Sequence, residues 1–369
     1  MNREAVHTLL FCAVIVITGL VAAVNVRSFR VPERVDVIDG GFAKAFEQHY
    51  EDEFPVKRLG VNLWAAIDYA LFREGRPGIV VGTHDWLYTD EEFNVGDDYD
   101  ASIRANFARI SDVRKQLSDA GVELLAAVVP AKARIYPEYL SGRMPAAPHA
   151  ALYDETLAAL SAAGIPTADL RGTLSAGKAY QQTFLRTDTH WAPWGAQLAA
   201  IEIANIAGAA GLLRSLGTHF VTHVSGVDMH RGDLFSFLPL DPYFTPLLPP
   251  REEIQLMKTD VLVADGDSLV AEGDVASSTA ADLFGDSELP EVVLIGTSYS
   301  ANPLWNFVGF LKQFLGEDVA SYAREGAGPF APMATYLRSE DFRARRPRLV
   351  IWEIPERSIL VSPPAVAAR

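Results

Sequence analysis

Five short strand-like segments, spaced by helical ones, constrain the fold of this chain more than any other feature. Val122 to Val129 follows a helical stretch from about residue 99 to 119, and a helix near 148 to 162 precedes Thr167 to Leu170. Val292 to Gly296, Val319 to Tyr322 and Leu349 to Ile354 come later, with a helix carrying Leu304, Phe307, Val308, Leu311 and Leu315 after the first of them. Strands that alternate with helices build a parallel sheet covered on both faces, so the expected class is α/β with helices flanking that sheet. At 369 residues and 49% hydrophobic, the chain can bury such a sheet without a metal or a disulfide. One large domain is expected. Its single cysteine, Cys12, excludes an intramolecular disulfide.

Other segments depart from this rhythm. Residues 1–30 read as a signal anchor or signal peptide: Leu9 to Val26 is apolar except for Thr18, Gly19 and Asn25, with Arg3 before it and Arg27, Arg30 and Arg34 after. That length is at the lower limit of about 18 to 20 residues for a spanning helix. A retained anchor is favoured over cleavage near Ala22-Ala23, because the run exceeds a usual signal core and the cleavage pattern is poor. With the N-terminus inside, both readings place the rest outside the cytoplasm. Residues 31–75 read as a helical lead-in, and 76–361 as the main domain. Ile79-Val80-Val81 and Trp86-Leu87-Tyr88 suggest a hairpin around His84-Asp85. Residues 215–290, rich in Pro, Gly, Asp and Ser, read as an insertion with weak strands at Phe220 to Val224 and Val261 to Val263. A Pro/Ala-rich tail occupies 362–369.

Two constellations carry chemistry. In Arg186-Thr187-Asp188-Thr189-His190-Trp191 a carboxylate stands two residues before an imidazole; in an extended segment both point the same way, with Cα atoms roughly 6.5 Å apart. Pro193 then opens a helix in which Trp194, Leu198, Ile201 and Ala204 share one face. In Gly296-Thr297-Ser298-Tyr299-Ser300 a serine follows a strand at its carboxyl end, where ligands of open parallel sheets bind. A serine hydroxyl needs a base; His190 fits that role, with Asp188 fixing its tautomer. The Ser298 N–H would donate to the oxyanion, and Gly326 and Gly328 are candidates for a second donor. Taken singly, Gly-x-Ser is a common strand exit, and Asp-x-His also suits a turn or half a metal site. His219 and His223 stand four apart, but the residues between look extended and no Glu follows, so no metal is expected, and no cofactor. The formal net charge of −15 argues against a nucleic-acid partner.

With these residues assembled, the chain resembles the alginate O-acetyltransferase family of AlgJ/AlgX type, whose catalytic domain is similar to SGNH hydrolases. The resemblance rests on five ordered motifs: His84-Asp85-Trp86-Leu87-Tyr88, Val129-Pro130-Ala131-Lys132-Ala133-Arg134-Ile135-Tyr136-Pro137, Thr187 to Trp191, Gly296 to Ser300, and Trp352-Glu353-Ile354-Pro355-Glu356-Arg357. It implies an SGNH-like sheet and a triad of Ser298, His190 and Asp188 that carries acetyl as an acyl-serine to an exopolysaccharide hydroxyl. It also implies a membrane-bound O-acyltransferase (MBOAT) as donor partner. AlgX-type members carry a carbohydrate-binding module after the catalytic domain; with so little chain after Arg357, the anchored AlgJ type is expected. An acidic chain meets a polyuronate slowly unless a basic channel offsets the repulsion. Lys132, Arg134, Arg324 and Arg357 are candidates to line one, and Tyr299 is a further substrate candidate; each of these cations is also a candidate structural ion-pair partner, and a neutral acceptor such as cellulose stays open. An SGNH-type carbohydrate esterase, or a non-catalytic glycan-binding subunit of an export complex, are the competing readings.

Overall fold

The computed structural model describes residues 3–31, 39–53, 55–214, 219–265, 268–272 and 290–361; the expected tail and the last part of the expected insertion lie outside them. The chain divides into two compact units: Met1–Arg76 with Ser236–Leu248, and Pro77–Phe235 with Pro249–Arg369.

The first unit is helical. Helix α1 (Arg3–Ser28) has a mean hydropathy of 2.4 over Ala5–Val24, and none of that window is buried in the protein. It is long and apolar enough to cross a bilayer. Helix α2 (Gly41–Glu53) and helix α3 (Pro55–Ile67) follow, the latter opening on proline at a position where no helical N–H is lost. A π-helical turn, Asp68–Phe72, ends in the left-handed Arg73. Residues expected within the insertion belong here: the Arg76 N–H donates to Phe237 O (3.0 Å), and the Asn62 amide donates to Pro239 O.

The second unit holds the sheet. Strands β1 (Ile79–Val81) and β2 (Leu87–Thr89) form the expected hairpin, with His84 and Asp85 both at positive φ and the Trp86 N–H closing the turn on Thr83 O at 3.1 Å. These are the features of a type I′ turn. Then come α4 (Tyr99–Asp119), β3 (Glu123–Val129), α5 (Lys132–Ile135), α6 (Ala147–Ala162), β4 (Thr167–Asp169), α7 (Leu170–Gly177) and α8 (Pro193–Ala209). A three-stranded antiparallel sheet follows, made of β5 (His219–His230), β6 (Glu252–Asp265) and β7 (Ser268–Glu272). The chain returns to the main sheet with β8 (Val292–Ile295), β9 (Val319–Ser321) and β10 (Leu349–Pro355).

The main sheet has the order β4-β3-β10-β8-β9, all parallel. Its residues alternate between two cores. Leu125, Ala127, Val129, Leu294 and Ile351 face one side with α8 and the helix Phe307–Leu315; Leu124, Val128, Ile295, Val350 and Trp352 face the other with α4 and α6. Burial on both faces explains the unbroken apolar runs. The strand after β3 lies to one side and the strand after β8 to the other, so the order reverses across β10. At such a switch point the loops leaving the carboxyl ends part and open a crevice.

One expectation needs correction. The insertion carries far more strand than its two weak signals indicated, because exposed Val221, Val224, Val227 and Met229 obscure the alternation in β5, and a bulge at Val224/Gly226 shifts its register. In α8 the fully buried residues are Ala196, Ala199, Ala200, Ile203 and Ala207, while Trp194, Leu198 and Ile201 are only half-buried. Small alanines let the helix approach the sheet closely, so its inner face is the one with less apolar bulk.

Candidate active site

The serine turn is built from beneath. After the buried β8, Gly296 leaves no room for a side chain, since a Cβ there would stand 2.5 Å from Glu353 Oε2 and 2.6 Å from Ser300 Oγ. Glu353, buried on β10, accepts from the Thr297 N–H at 2.6 Å, the Thr297 hydroxyl at 3.0 Å and the Ser300 hydroxyl at 3.0 Å. Burial raises its pKa. Thr297 then caps the one-turn helix Ser298–Ala301. As the first helical residue, Ser298 has an N–H that no helical carbonyl takes up, and that N–H is free to meet developing negative charge.

The base loop is suspended from four sides. An antiparallel bridge joins Phe184 to Trp191 at its neck, and the Leu185 N–H donates to His190 O at 3.2 Å. Glu252, at the start of β6, accepts from the N–H groups of Arg186 (3.0 Å) and Thr187 (2.9 Å). Lys132 donates from Nζ to the carbonyls of Leu87 (2.6 Å), Arg186 (2.8 Å) and Asp188 (2.9 Å). The Tyr299 hydroxyl donates to Thr189 O at 2.9 Å, tying this loop to the serine turn.

Within that frame Ser298 Oγ lies 2.6 Å from His190 Nε2, and His190 Nδ1 lies 2.7 Å from Asp188 Oδ1. The Asp-His segment is a bend rather than the expected extended strand. Asp188 also accepts the His190 N–H at 2.9 Å, the Asx-turn bond of a carboxylate to the backbone two residues on. With its Nδ1–H given to the carboxylate, His190 presents a bare Nε2 to the serine proton.

Sequence reasoning missed the far side of the carboxylate. Asp188 Oδ2 accepts from His230 Nε2 at 2.8 Å and from the Asp233 N–H at 3.0 Å. Asp233 in turn accepts from the Thr189 N–H at 2.8 Å. Burial by itself would raise the Asp188 pKa, but the hydrogen bonds from His190 and His230 hold it well below the usual carboxylate range. Burial would lower the His230 pKa, and Asp188 more than offsets this, leaving it raised. Asp233 is raised by burial and by the neighbouring Asp188 charge. The Trp305 ring stacks on His190 (centroids 5.5 Å) and meets His230 edge-on (5.8 Å). His230 and Glu252 pair across β5 and β6, so the antiparallel sheet brings both to the site. The available signal was His230-Arg231-Gly232-Asp233, a second His and Asp in one short stretch.

The channel candidates divide. Lys132 is 1% exposed and supports the base loop instead of lining a groove; burial pushes its pKa down to about 8. Arg134 is paired with Glu356 (2.9 Å), and Arg357 with Glu91 (3.0 Å) while its Nη1 donates to the Tyr299 hydroxyl (3.1 Å). Tyr299 is buried. Arg324 is exposed, and its N–H donates to Gly296 O at 3.1 Å, which sets the loop of Gly326 and Gly328 (φ 66° and 64°) beside the end of β8. Among the described residues, Asp188, His190 and Asp233 also lie close enough together to hold a metal ion, but His190 Nδ1 and both Asp188 oxygens are already taken up by the hydrogen bonds above.

A five-stranded parallel sheet with a serine, a histidine and a carboxylate in line at its carboxyl edge is the build of an SGNH hydrolase-like enzyme. Residues 79–356 match the family described as SGNH hydrolase-like domain, acetyltransferase AlgX, and the chain belongs to that family of acetyltransferases. It is 48% identical to the probable alginate O-acetylase AlgJ of Pseudomonas fluorescens over 327 residues, covering 88% of this chain and 79% of that protein. The probable alginate O-acetylase AlgJ of Pseudomonas aeruginosa is 47% identical over 333 residues, covering 90% and 83%. Among solved structures, the O-acetyltransferase domain of Pseudomonas putida AlgJ superposes with a TM-score of 0.70 at 38% identity, covering 80% of this chain and 96% of that one. Pseudomonas aeruginosa AlgX, at a TM-score of 0.55 and 24% identity, shares the fold.

Proposed function

We propose that this acetyltransferase moves acetyl groups onto hydroxyls of alginate through an acetyl-Ser298 intermediate, with His190 as the base and Asp188 as its orienting anion. The observation that carries the reading is the continuous line from Ser298 Oγ to His190 Nε2 (2.6 Å) and from His190 Nδ1 to Asp188 (2.7 Å). In the first half-reaction His190 takes the serine proton as Oγ bonds to the donor's carbonyl carbon. The oxyanion meets the Ser298 N–H, with Gly326 or Gly328 as the second donor. Collapse breaks the donor's acyl bond, and the leaving group takes the proton from His190. In the second half-reaction a sugar hydroxyl gives its proton to His190 and attacks the acetyl carbonyl; collapse breaks the acetyl–Oγ bond, and His190 returns the proton to Ser298.

The chain is held at the periplasmic face of the inner membrane by α1 as a retained anchor, and receives acetyl from a membrane-bound O-acyltransferase. The domain boundaries that go with this reading are residues 1–30 for the anchor and 76–361 for the catalytic domain. The experiment is transfer of acetyl from an activated ester to mannuronate oligosaccharides, read as product mass. The expected result is acetylated oligosaccharide from the wild type and none from Ser298→Ala. Donor hydrolysis without any acetylated oligosaccharide would instead identify an esterase, and full transfer by Ser298→Ala would remove the serine from the mechanism.

A further inference from the structure

Helix α3 and the π-helical turn that continues it turn an apolar face away from the protein. Asn62, Ala66 and Tyr69 are buried, and the Asn62 amide donates to Pro239 O of the same unit, so one side of the segment is covered. On the opposite side Leu59 is 43% exposed, Leu63 47%, Trp64 65% and Leu71 72%. At 100° per residue Leu59, Leu63, Ile67 and Trp64 fall within an arc of about 140°, with Lys57 and Asp68 just beyond its edge, and Leu71 extends the stripe. Such a stripe normally faces a core. This one faces outward from a unit that already packs its other side.

What lies next to it is set by α1. Phe29, the first residue after that helix, packs against Phe42 (5.8 Å), Phe46 (5.3 Å) and His49 (5.3 Å) of α2, so aromatic contacts clamp α2 to the foot of the apolar helix. The same unit holds α3, whose exposed Trp64 has the amphipathic character found at membrane interfaces. Lys57, Arg58, Arg73 and Arg76 supply positive charge at its two ends. A helix with an apolar stripe, a tryptophan and flanking cations, held within a unit that carries a spanning helix, has the chemistry of a segment lying in the lipid interface.

We propose that Pro55–Phe72 lies along the headgroup layer of the same bilayer that α1 crosses, with Leu59, Leu63, Trp64 and Leu71 set into the acyl boundary. The proposal rests on α1 being a retained anchor. It adds a second lipid contact, which fixes how the first unit lies against the bilayer.

The test uses the full chain with Cys12→Ser and single cysteines carrying a nitroxide, reconstituted in phosphatidylethanolamine–phosphatidylglycerol vesicles. Collisions with oxygen, which concentrates in lipid, are compared with those of a water-soluble nickel chelate. Labels on Leu63→Cys and Leu71→Cys are expected to show an oxygen-to-nickel ratio several-fold above that of Glu74→Cys, approaching that of Val14→Cys in α1. A lipid-like ratio at Val14→Cys with water-like ratios at Leu63→Cys and Leu71→Cys overturns the proposal and leaves the anchor intact. A water-like ratio at Val14→Cys overturns the anchor and the proposal together. Low collision rates with both reagents at residues 63 and 71 mean that protein covers the face, such as a second copy of the chain, and also overturn it.

Discussion

Replacing Asp188 by asparagine separates the charge of this residue from its shape. Asp188 accepts four hydrogen bonds, two on each oxygen: His190 Nδ1–H and N–H on Oδ1, His230 Nε2–H and the Asp233 N–H on Oδ2. An amide has one accepting oxygen and must choose a side. If the oxygen faces His190, the new NH2 confronts the Asp233 N–H, at a cost of about 1–3 kcal/mol for a buried donor left unpaired. If it faces His230, the NH2 confronts His190, whose Nδ1 must become an acceptor; the ring proton then sits on Nε2 and the serine loses its base. The first arrangement keeps the right tautomer but lacks the anion that stabilises the imidazolium. Both therefore lose activity, and we expect kcat to fall by about 10²–10⁴, or about 2.7–5.5 kcal/mol of barrier. Steady-state turnover of a chromogenic acetyl ester would measure this, with thermal melting as the control for folding. A variant that melts normally and retains activity within about tenfold of wild type would refute the reasoning.

The other outcomes follow from the same geometry. His230→Ala should cost about 1.5–3 kcal/mol near pH 6 by removing a hydrogen bond to a charged group. Because the folded His230 pKa is raised, its contribution is fully present below about pH 6.5 and is lost as pH rises through the folded value. Melting curves of the variant should therefore vary less than those of the wild type on the alkaline side; parallel curves would contradict the assignment. Asp188 has the opposite sense, with stability present above about pH 4 and lost as pH falls through its depressed folded value. Gly296→Ala puts a Cβ 2.5 Å from Glu353 Oε2, so we expect a loss of about 1–3 kcal/mol together with collapse of esterase activity; normal kinetics would show that the turn has room. Lys132→Met leaves the carbonyls of Leu87, Arg186 and Asp188 without their donor, and should lower stability by at least about 3 kcal/mol, read by urea denaturation.

The main sheet was readable because its three central strands are buried on both faces, which leaves runs such as Leu124 to Val129 and Val292 to Ile295 with no polar residue. The antiparallel sheet was poorly readable for the converse reason: most of β5 is exposed, so its pattern is set by solvent and a bulge rather than by a core. Asp188, His190 and Ser298 were legible as residue types that need one another, with Ser298 at the exit of a strand and the pair in a loop ahead of a helix. The inner ring was not. Glu353, Lys132, Glu252 and His230 act through bonds that span long stretches of chain, and in sequence a buried lysine looks the same as one lining a groove. Lys132, Arg134 and Arg357 were legible only as cations that suit either a channel for a polyuronate or structural ion pairs. In the fold they are taken up by carbonyls and carboxylates that the sequence does not place beside them.

The account turns on one covalent bond, from an acetyl carbon to Ser298 Oγ. Mixing the protein with an activated acetyl ester, quenching with acid within the first turnover and mapping peptides by mass spectrometry reads that bond directly. We predict the mass of one acetyl group on the peptide containing Ser298, lost on adding mannuronate oligosaccharide as acetylated sugar appears, and absent from His190→Ala. Turnover without acetyl on Ser298 under these conditions, or with acetyl on another residue that the oligosaccharide discharges, would contradict it.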